Sequence, residues 1–152
     1  CIEHGADEAF VYPSGNLNRD QQKELSNKIK ELTGGLGANV VYDPVGGDYT
    51  EAALRATAWE GRLLIVGFPA GIAKIPMNLP LLKGCQIVGV FWGSFAMQFP
   101  KQNMANTMEL IQWYAQGKLK PHIDKVYHLA EANQALSDMM NRKTKGKIIV
   151  EP

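Results

Sequence analysis

Short apolar runs alternate along the chain with longer amphipathic stretches, the pattern of strands and helices in a parallel sheet. The first run, Ala9-Phe10-Val11-Tyr12, closes on the turn cluster Pro13-Ser14-Gly15-Asn16 and reads as a strand. A helix is expected from Asp20 to Leu32, with Leu25, Ile29 and Leu32 on one face. Asn18 and Gln21 have the spacing of a capping box, and Glu24 and Lys28 that of an i,i+4 ion pair. Thr33-Gly34-Gly35 should stop this helix, because glycine accepts the left-handed conformation of a C-cap. The second run, Asn39–Asp43, leads into Pro44-Val45-Gly46-Gly47, after which Asp48 is expected to cap a short helix with a small-residue face of Ala52, Ala53 and Ala56. Gly61 should end that segment and Arg62–Phe68 forms the third run. Pro69, Pro76 and Pro80 make the stretch from Gly71 to Lys83 a loop with one helical turn, and Gln86–Trp92 is the fourth run.

A long helix is expected from Asn103 to Gln116, with Met104, Met108, Ile111 and Ala115 as a core stripe and Gly117 as the stop. The character changes after Leu119-Lys120-Pro121. Lys125–Leu129 reads as a strand, Glu131–Asn141 as a helix with Ala132, Leu136, Met139 and Met140 inward, and Lys147–Val150 as a closing strand. The fold class is therefore α/β: residues 1–121 form part of a doubly wound parallel sheet, and residues 122–152 a short strand–helix–strand segment.

Composition narrows the function classes. The 152 residues are 45% hydrophobic and 20% charged, ordinary for a globular domain. Such a chain buries roughly 70% of its unfolded surface without a disulfide or metal staple. Sixteen basic and fifteen acidic side chains leave a net charge of +1, too balanced for a nucleic-acid arm or a polybasic membrane anchor. The longest apolar stretches, such as Leu63–Phe68 and Ile87–Trp92, fall far short of the ~20 residues that span a bilayer. Neither nucleic acid nor membrane is expected as a partner. Cys1 and Cys85 form no CxxC pair and read as unpaired thiols of a reducing cytoplasm. His4, His122 and His128 are scattered, so no metal site is expected from this chain alone. The opening Cys1-Ile2-Glu3-His4, rather than methionine, reads as a cut.

Ligands of doubly wound sheets bind at the carboxyl ends of the strands. Three segments fall there: Asp43-Pro44-Val45-Gly46-Gly47, Gly67-Phe68-Pro69-Ala70-Gly71 and Phe91-Trp92-Gly93-Ser94-Phe95. Glycine lets a ligand approach the backbone, and an aromatic side chain can wall a flat ring. Taken singly, each of these segments is better explained as a turn; three at successive strand ends make a shared ligand edge an equal alternative. The phosphate-cradling sequence is absent: no G-x-G-x-x-G joins a strand to a helix, and Gly34-Gly35-Leu36-Gly37 lies between a helix and a strand, the wrong context for holding a pyrophosphate. There is also no G-x-S-x-G elbow and no pair of carboxylates with acid/base spacing.

The ordered set His4-Gly5-Ala6-Asp7, Glu31-Leu32-Thr33-Gly34-Gly35-Leu36-Gly37, Tyr42-Asp43-Pro44-Val45-Gly46-Gly47, Gly61–Phe68 and Gly89-Val90-Phe91-Trp92-Gly93 resembles the C-terminal half of zinc-independent medium-chain dehydrogenases/reductases. The quinone oxidoreductase (zeta-crystallin-like) family is the most similar group. Gly117-Lys118-Leu119-Lys120-Pro121 and Lys145-Gly146-Lys147-Ile148-Ile149-Val150 fit its ending, so the resemblance runs along essentially the whole chain. It implies a Rossmann sheet lacking its first two strands, with the glycine-rich loop preceding the residues present here. Ala9–Tyr12 would then be a strand without its usual ladder neighbour, whose amides and carbonyls must pair elsewhere or meet water. The piece is accordingly expected to be either an incomplete stretch of a longer polypeptide or a rearranged, association-prone fragment.

The resemblance further implies NADPH as cofactor, a small-molecule quinone or enone as substrate, a cytoplasmic location, and a homodimer through the edge strand at residues 86–92. Tyr12 matches a position beside the adenine, its alternative being a half-exposed tyrosine at a strand end. Val45, Gly46 and Gly47 match the turn passing the ribose. Gly67, Phe68, Pro69 and Ala70 match the segment lining the nicotinamide. Phe91, Trp92 and Gly93 match the segment abutting the carboxamide, with packing or a dimer interface as the alternative for Phe91 and Trp92. Arg142 matches a basic residue that reaches a cofactor phosphate, or is a solvated surface arginine. No catalytic acid is implied in this half. Enoyl-thioester and alkenal reductases share the scaffold, and a non-catalytic oligomerisation or interaction module is the reading from a different class.

Overall fold

The capping box opens the first helix of the computed structural model, which describes residues 1–152. The Asn18 side chain accepts from the Gln21 amide at 2.9 Å, and Gln21 returns the bond to the Asn18 amide at 2.9 Å. Helix α1 (Arg19–Leu32) follows, and Gly34 and Gly35, both with positive φ, reverse the chain after it. Two details differ from expectation. Lys28 pairs with Glu31 at 3.4 Å rather than with Glu24. Leu32 is exposed, so the buried face of α1 rests on Leu25 and Ser26. The chain divides into two compact units, Cys1–Trp92 and Gly93–Pro152. Division by contacts thus falls at Trp92, whereas the change in sequence character falls after Pro121.

In the first unit β1 (Ala38–Asp43), β2 (Thr57–Ile65) and β3 (Gln86–Gly89) form a parallel sheet in the order β1-β2-β3. Crossovers run through α2 (Asp48–Ala56) and through a loop ending in α3 (Asn78–Lys83). Val41, Leu63 and Ile87 are register partners and share one face. That face packs with Leu54 and Leu79 into one core, while Leu17, Leu25 and Ala52 form a second between α1 and α2. Complete burial of Leu54 and Leu63 contributes about 1.5–3 kcal/mol each. On the opposite face Val40 and Tyr42 are exposed.

Several boundaries move for identifiable reasons. β2 starts at Thr57, directly after α2, instead of beyond Gly61. Ala38 pairs with Thr57 but Val40 pairs with Arg62, so the intervening residues bulge, with Glu60 left-handed at φ 58° and Gly61 buried inside. Gly47, not Asp48, is the N-cap of α2, and the Asp48 carboxylate instead accepts the Leu17 amide at 3.1 Å. β3 stops at Gly89 because its partner β2 turns away after Ile65; the Val90 amide still reaches the Ile65 carbonyl, at 2.9 Å, and Trp92 starts a helix.

Ala9–Tyr12 is not a strand. No amide from Asp7 to Asn16 donates a hydrogen bond to the backbone, and Val11 is 100% exposed. The sheet of this unit consists of β1, β2 and β3, and none of them pairs with this segment. The segment is held from one side only, by Phe10 against the second core and by the Tyr49 hydroxyl, which lies 3.0 Å from the Pro13 carbonyl and 2.7 Å from that of Gly15.

The second unit comprises α4 (from Trp92 to Gln98), α5 (Pro100–Ala115), β4 (Ile123–His128), α6 (Ala132–Met140) and β5 (Lys147–Glu151), with β4 and β5 parallel. Pro100 at the first turn starts α5 earlier than expected. Its Met104, Met108 and Ile111 stripe has the right period, yet no residue of α5 is buried. The expected inward face of α6 is also corrected: Leu136, Met139 and Met140 are exposed, and Ala135 is buried instead. That rotation places Asp138 beneath the buried Tyr127, whose hydroxyl donates to its carboxylate at 2.9 Å. Lys125 lies 4.3 Å from the centre of the same ring.

Two predictions follow from these contacts. Amides 7–16 should exchange with solvent deuterons near the unfolded-chain rate while those of β1 and β2 remain protected; slow exchange at Phe10–Tyr12 in the monomer would contradict the unpaired segment. The second concerns pH. The hydrogen bond from Tyr127 holds the Asp138 carboxyl below its ordinary range, and burial raises the Tyr127 phenol. A lowered carboxyl stabilises fully above its unfolded pKa of about 3.9 and loses that contribution as pH falls through the folded value. A raised phenol stabilises fully below about pH 10 and loses its share as pH rises beyond. Melting of the second unit should therefore weaken at both extremes, and Tyr127→Phe should blunt both limbs. Unaltered limbs in that variant would refute the assignment.

Candidate functional site at the carboxyl edge of the sheet

Parallel register sets the three strand ends at one level. Asp43 pairs with Ile65, and Ile65 pairs with Gly89. The segments leaving these residues are Pro44–Gly47, Val66–Gly71 and Val90–Trp92, so the structure brings the candidate loops of the first unit to a single edge.

Asp43 builds the first loop. Its side chain is buried, with one carboxylate oxygen accepting the amides of Val45 at 2.9 Å and Gly46 at 3.0 Å. The other oxygen accepts the Thr50 hydroxyl at 2.6 Å, which ties the loop to the first turn of α2. An aspartate that closes on amides two and three residues ahead forms an Asx-type turn, and the Asp-Pro-x-Gly-Gly sequence is its signal. Sequence reasoning quoted this segment but missed Asp43 and Thr50 as its organising residues.

The first and second loops are clamped together. The Asp43 carbonyl accepts the Val66 amide at 2.9 Å, the Val45 carbonyl accepts the Ala70 amide at 2.9 Å, and the Gly47 amide donates to Gly71 at 2.7 Å. Gly46 has φ 76°, and a Cβ there would lie 2.6 Å from the Gly71 carbonyl oxygen. At Gly47, with φ 58°, a Cβ would lie 2.6 Å from the Ala70 carbonyl oxygen. Both positions need glycine for conformation and for the close approach of the loops. The amides of Gly67 and Phe68 donate to no other group of the chain. Phe68, Pro69, Ala70, Phe91 and Trp92 are exposed, with Trp92 at 67%.

Tyr12 stands apart from these loops but is joined to α2. Its ring lies 5.4 Å from that of Tyr49 at 58°, and 6.1 Å from that of Phe10 edge-on. A cavity of about 550 Å³ opens between Phe10–Pro13 and α1, and Tyr12 is the one predicted site residue in its wall. A smaller concavity of about 280 Å³ is lined by Gly47, Ala70, Asp48 and Lys74 at the clamped loops. Gly93 and Arg142 belong to the second unit, where Gly93 lies in α4 and Arg142 follows α6 with φ 55°.

Unused donors at Gly67 and Phe68, a glycine turn and exposed aromatic walls suit the ribose and ring of a dinucleotide. The concavity at the loops is below the roughly 300–1,000 Å³ of a complete small-molecule site. No three His, Cys, Asp or Glu side chains come together to hold an ion; Cys1 is exposed and Cys85 packs against the core. No helix is long and apolar enough to cross a membrane.

A family model described as zinc-binding dehydrogenase matches residues 4–150. Among curated proteins, quinone oxidoreductase-like protein 2 of Bos taurus is 39% identical over 152 residues, covering 99% of this chain and 41% of the relative. Quinone oxidoreductase of Pseudomonas aeruginosa is 30% identical, covering 99% of this chain and 44% of the relative. The solved structure of mycobacterial Rv1454c complexed with NADPH superposes with a TM-score of 0.83 at 25% identity, over 99% of this chain and 45% of the other. Quinone oxidoreductase of Pseudomonas syringae superposes with a TM-score of 0.69 at 29% identity, over 84% of this chain and 39% of the other. The chain belongs to the zinc-binding dehydrogenase family, and the curated proteins it resembles here are named as quinone oxidoreductases. It spans about two fifths of the length of these relatives, 41% and 44%. The α/β fold with parallel sheets is the one expected from sequence.

Asp43→Ala should destabilise the first unit by about 2–4 kcal/mol, since it strands the buried Gly46 amide and frees Val45 and Thr50 together. Asp43→Asn, which keeps one acceptor oxygen, should lose less. Denaturant unfolding checks the order, and equal losses for the two variants would show that the turn does not depend on the acceptors.

Proposed function

We propose that this chain supplies the nicotinamide-facing wall of an NADPH-dependent oxidoreductase that reduces a quinone or enone. The observation that carries this reading is the level register of Asp43, Ile65 and Gly89, which gathers Val45–Gly47, Gly67–Ala70 and Phe91–Trp92 at one edge. When bound, the cofactor supplies a hydride from its dihydronicotinamide ring. Gly46 and Gly47 leave room for a ribose, and the free amides of Gly67 and Phe68 donate to cofactor oxygens. Phe68, Phe91 and Trp92 flank the ring and shield it from water. Tyr12 stacks toward the adenine. The share of these residues is orientation of the reacting ring. The outer edge of β3, paired only with β2, joins a second copy of the chain as a continuous sheet.

Relatives named as quinone oxidoreductases and a structural neighbour complexed with NADPH support the reading. Titrating NADPH into the chain while following amide resonances tests it. Shifts should concentrate at residues 45–47, 67–70 and 91–92 and saturate only at about millimolar concentration, because no glycine-rich loop holds the pyrophosphate. Absence of shifts at those loops, or shifts confined to other residues, would leave the non-catalytic module as the better account.

A further inference from the structure

The helical layer of the first unit carries a second concavity, distinct from the strand-end loops. Its volume is about 640 Å³, and α1, α2 and α3 supply most of its wall. Five basic side chains and two acidic ones line it. Lys30 comes from the last turn of α1, Arg55 from the last turn of α2 and Lys83 from the end of α3. A cation near a helix C-terminus is ordinary by itself, since it complements the dipole. Helix dipoles do not explain why three helices bring these cations to one cavity.

The charges are incompletely matched. Arg55 is held by Glu51, with Nε and Nη2 at 2.9 and 2.6 Å from one carboxylate oxygen. Lys30 and Lys83 have no carboxylate within ion-pair distance. Burial, and then the neighbouring Lys30 charge, lower the Lys83 ammonium pKa, so the two lysines feel one another across the cavity. The cavity wall also contains Ser26, 2% exposed, whose hydroxyl oxygen has no hydrogen-bond partner. A buried hydroxyl left without a partner costs about 1–3 kcal/mol. One chemistry answers both features: an anion with several acceptor oxygens would neutralise the lysine pair and offer the serine an acceptor.

We propose that the cavity between α1, α2 and α3 binds a phosphate group, held by Lys30 and Lys83, oriented by Arg55 and bonded by Ser26 after rotation about its Cα–Cβ bond. The volume accommodates a phosphorylated small molecule as well as free phosphate. None of the strand-end loop residues lines this cavity, so the inference does not rest on the cofactor reading.

Amide resonances of the chain followed during titration with inorganic phosphate, at constant ionic strength set with chloride, test the proposal. Saturable shifts are expected at residues 26, 30, 55 and 79–83. A second arm compares glucose 6-phosphate with glucose. Tighter binding of the phosphorylated sugar than of inorganic phosphate assigns a phosphorylated small molecule, and equal binding assigns the free ion. Lys30→Ala and Lys83→Ala should each weaken phosphate binding about tenfold, and Ser26→Ala by less. Without phosphate, Lys83→Ala should keep or raise the Tm, because it relieves the repulsion with Lys30; this shows the variant to be folded. Shifts that never saturate, that chloride reproduces, or that survive both lysine substitutions unchanged would overturn the proposal.

Discussion

The candidate site depends on one buried carboxylate. Asp43 is the last residue of β1, and its two oxygens hold the amides of Val45 and Gly46 and the hydroxyl of Thr50. Those bonds fix the turn in which Gly46 and Gly47 take positive φ. Only with that turn in place can the Val45 carbonyl and Gly47 amide meet the loop after β2. Parallel pairing brings the strand ends level, and Asp43 converts two separate exits into one rigid surface. The neighbouring loop donors at Gly67 and Phe68 are thereby positioned before any ligand arrives, the condition under which polar groups contribute most to orientation.

Local patterns were legible where local physics decides them. The Asn18–Gln21 capping box, the glycine stop at Gly34 and Gly35, and the helical turn before Lys83 all depend on residues within a few positions of one another. The three strand-end segments were also legible, because strand runs followed by glycine and aromatic residues mark the carboxyl edge. Asp43 was hidden for a different reason: its role is set by an Asx turn together with Thr50 on the next helix, which no hydrophobic period reports. Bulging between Thr57 and Gly61 was likewise invisible, since it is visible only in the register against Ala38 and Val40.

Periodicity failed as a guide to burial in three places, and the failures share a cause. Ala9–Tyr12, the α5 methionine stripe and the outer face of α6 all have apolar spacing, yet Val11, Met104 and Leu136 are exposed. An apolar face states what a segment is suited to bury, whereas burial requires a partner surface of matching geometry. In α6 a specific polar bond decided the matter. Tyr127 is 1% exposed and its hydroxyl needs an acceptor; satisfying it with Asp138 turns Ala135 inward and Met139 outward.

The edge and the helical layer of the first unit present different chemistry. At the edge the unused donors are the backbone amides of Gly67 and Phe68, and the exposed aromatic side chains of Phe68, Phe91 and Trp92 stand on the neighbouring loops. In the helical layer the order is reversed, with Lys30, Arg55 and Lys83 converging on a cavity that contains little aromatic surface. Strand ends point one way along the chain direction, while the crossover helices α2 and α3 return the other way and end in Arg55 and Lys83. A parallel crossover therefore sets these cationic helix ends away from the strand-end loops, none of whose residues lines the helical-layer cavity. The two surfaces still adjoin along the helices, because Gln22 and Glu51 line both the helical-layer cavity and the concavity at the loops, so a charge bound at one is felt at the other within a screening length.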